Sequence, residues 1–185
     1  VAAAALESAR RAGAHKQEAQ AHVTLGVSLL MAGTDPEAAI DEYEQALAIG
    51  REIGDVGAVA LWSANLVDAL IRLGRLDDAA ATALEAADTG AQAGALRNEV
   101  GLILFNGAEA LFLGGRWDEC EHVLERLPAQ RAGGAVDLQG LGLAALLHAS
   151  RGRSDAAAAA IASAADLGLG LGLDDPVAEG MLRAA

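Results

Sequence analysis

The chain has 185 residues, a formal net charge of −13 and one cysteine, with 46 Ala and 28 Leu against only 20 Val, Ile and Thr together. Sheets draw on β-branched and aromatic side chains, and aromatics make up 3% here, so a substantial β-sheet is excluded and an all-α protein is expected from the two best helix formers. A strongly acidic chain with a single lysine, Lys16, offers no basic patch for nucleic acid, and no apolar run reaches the ~18 residues of a bilayer span. The lone cysteine suits a reducing compartment, and the Ala-rich start with Glu7 lacks the basic leader of a signal peptide. The expected address is cytoplasmic, away from membranes.

Glycine punctuates the sequence in two interleaved series. Gly33, Gly74 and Gly115 recur at intervals of 41 and 41, with Gly152 after a further 37; Gly13, Gly54 and Gly94 recur at 41 and 40. Two turns per period mean two helices per unit. Glycine past the end of an apolar run supplies a left-handed C-cap. The pattern predicts helices over about 1–12, 16–32, 36–53, 56–73, 76–93, 96–113, 117–127, 136–151, 154–167 and 176–185, with ends good to about 2–4 residues. Asp35-Pro36 opens the third helix and Asp175-Pro176 the last, each an N-cap acid before a first-turn proline. Arg75-Leu76-Asp77-Asp78 and Arg116-Trp117-Asp118-Glu119 set carboxylates at helix starts, where the helix dipole favours them. Pro128, followed by Gly133 and Gly134, should stop the seventh helix early. Gly168 to Gly172 reads as a turn between units; it lacks the preceding strand and the Lys-Ser/Thr of phosphate loops, and Leu173 stands where their sixth-position glycine would be.

Small and apolar positions repeat inside each unit. Leu66, Leu70, Leu73-Gly74-Arg75-Leu76, Ala79, Ala83 and Ala86 are matched by Leu25-Gly26, Leu29, Gly33, Ala39, Tyr43 and Ala46 before them. Leu111, Gly115-Arg116-Trp117, Cys120, Leu124 and Leu127 follow, then Ala145, Gly152-Arg153, Ala157, Ile161 and Ala164. Spacings of four and three keep one face of the second helix inward, and Ala39, Ala79, Cys120 and Ala157 allow close helix approach. These positions, above all Leu73 to Ala80, resemble the tetratricopeptide repeat (TPR), in a long form with a period near 41. The resemblance implies a right-handed α–α superhelix of about four helical hairpins, over roughly 16–54, 56–94, 96–134 and 136–172. Partial units at both ends would make the chain a fragment of a longer protein. HEAT and armadillo arrays, of similar period, are the structural alternative. In its Ala- and Arg-rich, lysine-poor style the array is also similar to the repeat region of large ATP-binding LuxR-type (MalT-like) bacterial transcriptional regulators. That likeness implies a sensor or signal-transmission role, with flanking domains of the same parent chain among its partners. Repeat regions of other signalling ATPases or cyclase-like proteins share the style.

In TPR-like arrays the first helix of each unit lines a concave groove. The resemblance carries this stripe onto Gln20, Val23, Thr24, Val27 and Met31, onto Leu61, Ala64, Asn65, Asp68 and Arg72, and onto Leu102, Phe105, Asn106, Glu109 and Leu113. The pairs Asn65/Asn106 and Asp68/Glu109, each 41 apart, fall at equivalent places. Amides donate to and accept from a peptide backbone; they equally bond neighbouring helices. The best ligand-binding candidates are Thr24, Leu61, Asn65, Asp68, Arg72, Leu102, Phe105, Asn106 and Glu109. Arg72 is the one cation on the stripe, with Asp68 one turn away, so a clamp for a terminal carboxylate is disfavoured; Asp68 and Glu109 suit a basic or neutral segment. Cys120 reads as a buried inert thiol. His15, His22, His122 and His148 are not spaced for a metal, and Tyr43, Trp62, Phe112 and Trp117 read as packing residues. No catalytic residue, metal or cofactor is expected. The expected function is a non-catalytic module binding a protein, peptide or small effector in its groove, with a homo-oligomeric assembly scaffold as the alternative.

Overall fold

A computed structural model of the chain describes residues 2–33, 35–95, 97–130 and 134–170. These form nine α-helices and no strand: α1 (Ala2–Ala12), α2 (His15–Ala32), α3 (Pro36–Glu52), α4 (Val56–Arg72), α5 (Leu76–Gln92), α6 (Arg97–Leu113), α7 (Trp117–Gln130), α8 (Ala135–Ser150) and α9 (Ser154–Gly170). None of them is long and apolar enough to cross a membrane. The expected helix over 176–185, with its Asp175-Pro176 start, lies outside the described residues.

Local chemistry accounts for the boundaries. Asp35 accepts the Ala38 N–H at 3.0 Å with Pro36 in the first turn, and Asp55 accepts the Ala58 N–H at 3.1 Å. Every glycine of the two series has a positive φ, from 62° at Gly33 to 80° at Gly94, the region that side chains with a β-carbon rarely adopt.

Two boundaries differ from expectation. α7 runs through Pro128 to Gln130: proline's fixed φ is helical, and in a last turn the lost amide hydrogen bond and the ring's crowding of the preceding turn end the helix soon after it without excluding it. Even so, α7 has 14 residues against 17 in α3 and α5. α9 likewise continues through Gly168, Leu169 and Gly170, where a turn was expected. Glycine is permitted in a helix at about 1 kcal/mol relative to alanine, and α9 is packed along α8.

Each helix packs on its neighbour in sequence, and α2, α4, α6 and α8 also pack side by side in chain order. No comparable contact joins α3 to α5 or α5 to α7. The first helices of the pairs therefore form one continuous layer, and the second helices cover its other side. The core lies between, with Leu47, Val67, Ile103, Leu104, Leu111 and Leu147 fully buried. Ala39, Ala79 and Cys120 have no exposed surface at all, so the small residues stand where the layers meet. Gly26 and Gly107 mark still closer approaches: a β-carbon there would lie 2.6 Å from the Tyr43 ring and 2.9 Å from the Ala83 β-carbon.

Polar links tie successive pairs together along one edge. Arg75 reaches Glu37 at 3.5 Å and Asp78 at 2.9 Å; Arg116 reaches Asp77 at 3.0 Å and Glu119 at 2.6 Å. Arg151 reaches Asp118 at 2.6 Å, and Arg153 reaches Glu121 at 2.7 Å. Each arginine stands at the turn into a second helix; Arg75 and Arg116 grip the first turns of their own and the preceding second helix, and Arg151 and Arg153 reach back to α7. Exposed pairs contribute little stability individually; their geometry fixes the register between neighbours. At the other end of the array His22 is buried and bridges three helices. A guanidinium can only donate, so Nε2 accepts from Arg10 at 3.2 Å, leaving Nδ1 to donate to Glu42 at 2.6 Å.

Candidate functional site

The outer face of the α2, α4, α6 and α8 layer carries most of the large apolar side chains left in solvent. Of the six large hydrophobic residues classed as exposed among those described, five stand on these helices: Val27, Met31, Leu61, Leu113 and Leu146. Met31 is 77% exposed and Leu113 54%. A scattered exposed leucine needs no explanation, but several aligned on adjacent helices form a patch of the kind that marks interaction surfaces. Register explains the alignment. Val27, Asp68, Glu109 and Leu146 follow one another at 41, 41 and 37 residues, matching the glycines. Leu146 was legible in the sequence by extending the stripe with that last interval.

Charge enters at the two middle helices. On α4 the Arg72 Nε–H donates to Asp68 Oδ2 at 2.9 Å, both side chains being about half exposed. Glu109, the equivalent residue on α6, is half-buried; burial first, then the neighbouring Asp68 charge, raises its pKa, while Arg72 opposes. Beneath them the buried Tyr43 of α3 has its phenol pushed up to about 12 by burial and by Asp68. Two carboxylates and one guanidinium thus share a partly desolvated patch framed by apolar side chains. Tyr43 was legible only as a packing residue, because nothing in its spacing marks its closeness to Asp68.

The remaining stripe residues divide by burial. Leu61 and Thr24 are exposed, the Thr24 hydroxyl donating to its own helix at the Gln20 carbonyl, 2.8 Å away. Leu102 and Phe105 are half-buried against the core. Val23 and Ala64 are buried and line no surface. The two asparagines part company. Asn106 donates its amide to the Ala64 carbonyl of α4 at 3.2 Å and so stitches α6 to α4; Asn65 is half-buried. Asp68, Arg72, Glu109 and Tyr43 are brought into one electrostatic group, and Thr24 stays apart from it on α2.

A separate cleft of about 740 Å³ opens between α7 and α8, lined mainly by apolar residues such as Leu124, Leu127, Leu141 and Leu147, with Glu121 and His148. Cys120 is fully buried, its thiol pushed up to about 11 by burial. Among the described residues no group of three His, Cys, Asp or Glu side chains converges to hold a metal. A scan against protein-family models and a search of curated proteins gave no match for the chain.

Proposed function

We propose that the chain is a non-catalytic, TPR-like binding module that engages a protein or peptide along the exposed stripe of its first helices. The observation that carries this reading is the concentration of exposed apolar side chains on α2, α4, α6 and α8 around the Asp68–Arg72–Glu109 group. The packing supports a concave stripe, because first helices that touch one another, beside second helices that do not, bend an array toward the first layer. In this reading the array is a right-handed superhelix working in the cytoplasm. As the sensor part of a LuxR-type regulator it would pass ligand binding to flanking domains of its parent chain; that parentage rests on the style of the repeats alone.

Photocrosslinking from the stripe tests the reading. A photoreactive residue at Leu61 or Leu113 should join the partner in cells of the source, whereas the same residue at the exposed Glu85 of α5 should not. Equal labelling from Glu85 would overturn the groove assignment. Adducts that contain only this chain, with a mass in light scattering that grows with concentration, would favour the assembly scaffold instead.

A further inference from the structure

The stripe's chemistry narrows what can fill it, and the following inference rests on the groove reading above. Adjacent packed helices lie about 8–10 Å apart, so the stripe from α2 to α8 crosses three spacings, roughly 24–30 Å. That is the length of about 18 helical residues at 1.5 Å each, or about eight extended ones at 3.3 Å. A small molecule would leave most of it in water; a chain segment would not.

Charge then selects among segments. The centre of the stripe holds Asp68 and Glu109 on adjacent helices, against one guanidinium. Arg72 directs its Nε to Asp68, so among the described residues Glu109 has no hydrogen-bonded cation of its own. Covering this patch with an apolar or acidic ligand would strip water from a carboxylate that shares the Arg72 charge with Asp68, which is costly in proportion to the burial. A lysine or arginine on the ligand would make the second ion pair and balance the site at two charges of each sign. The exposed large apolar side chains flank it, Val27 and Met31 on α2 and Leu146 on α8, with Leu113 at the end of α6. The chain's overall charge of −13 also steers cationic ligands toward it and repels anionic ones.

We propose that the occupant of the stripe is a cationic amphipathic segment of a partner protein, seating one Lys or Arg between Asp68 and Glu109 and apolar side chains on α2 and α8. The α2 and α8 contacts lie about one and a half helix spacings from that cation, roughly 12–15 Å. An extended ligand therefore places apolar residues about four positions to each side of it.

Selection from a randomised 16-residue peptide library on the immobilised chain tests this without a known partner. Enriched peptides should share one Lys or Arg with apolar residues on both sides. Synthetic versions should bind the Asp68→Asn, Glu109→Gln double variant at least ten-fold more weakly, and a Lys→Glu peptide should regain affinity for Glu109→Lys. Helicity of each variant, followed by circular dichroism, guards against simple unfolding. Peptides lacking a cation, or cationic peptides whose affinity ignores both substitutions, would overturn the proposal and leave the binding-module reading standing. No enrichment over a blank surface would overturn both.

Discussion

Gly107 on α6 sets two estimates against each other. A β-carbon there would stand 2.9 Å from the Ala83 β-carbon of α5, where carbon atoms prefer about 3.5–4.0 Å. Both atoms are fixed to their backbones, so relief requires α5 and α6 to separate. Overpacking of this kind costs about 1–3 kcal/mol. Against it, Gly→Ala in a helix interior gains about 1 kcal/mol. Gly107→Ala should therefore lose up to about 2 kcal/mol. Gly142 on α8 is the control, since a β-carbon there meets no atom within 4 Å; Gly142→Ala should gain about 1 kcal/mol by propensity alone. Ala83→Gly loses propensity and a buried methyl, together about 2 kcal/mol. The double variant Ala83→Gly, Gly107→Ala merely moves the methyl across the interface and should return near wild type. The cycle then shows about 2–4 kcal/mol of favourable coupling. Urea unfolding followed by far-UV circular dichroism measures each corner, and amide exchange in α5 and α6 locates the loss if the array does not unfold in one step. A Gly107→Ala protein as stabilised as Gly142→Ala would refute the close-approach argument.

Three further outcomes follow from the charges and the thiol. Burial and Asp68 raise the Glu109 pKa while Arg72 opposes, so the native state holds that proton more tightly than the unfolded chain. Its ionisation penalty is absent below the usual glutamate value of about 4.3 and grows as pH rises through the raised native value. Glu109→Gln should accordingly raise the Tm at neutral pH, with the gain closing as pH falls below about 4; an equal gain at all pH values would assign the effect to packing. Cys120, buried and with its thiol at about 11, should react with an aromatic disulfide reagent only on unfolding, and Cys120→Ala should cost far less than Cys120→Leu in a position that is alanine at Ala39, Ala79 and Ala157. Arg116→Ala removes the bonds to Asp77 and Glu119; its destabilisation should shrink in high salt, whereas a salt-independent loss would point to the arginine stem.

Helix order was legible because its signals are local. A glycine beyond an apolar run, or an aspartate before a proline, reports on the few residues around it, and Gly33, Gly74 and Asp35 do what such residues do. Pro128 was misjudged because it stands in the last turn of α7, where few residues remain to be disrupted, and Gly168 because packing on a neighbouring helix outweighs about 1 kcal/mol per glycine. The interhelical links needed distances that spacing alone cannot supply. The Arg-x-Asp triplets at Arg75 and Arg116 were visible in sequence as dipole-favoured starts; that Arg116 crosses to Asp77 on the preceding second helix was not. Nor does spacing say that Asn106 would bond the Ala64 carbonyl while His22 would be buried between Arg10 and Glu42.

The same register explains why chemistry collects where it does. Where the layers meet, geometry leaves one solution, so Ala39, Ala79 and Cys120 are all small and all fully buried. The outward position of the first helices carries no such restriction, and there the residues differ: Val27 and Leu146 at the outer helices, Asp68 and Glu109 between them. Stacking energy cannot account for that choice. Two neighbouring acids, one of them half-buried with a raised pKa, oppose the packing of α4 on α6, and a leucine or glutamine at Glu109 would serve the fold better. The cation proposed above would relieve that pair, which stands at the middle of the exposed apolar stripe.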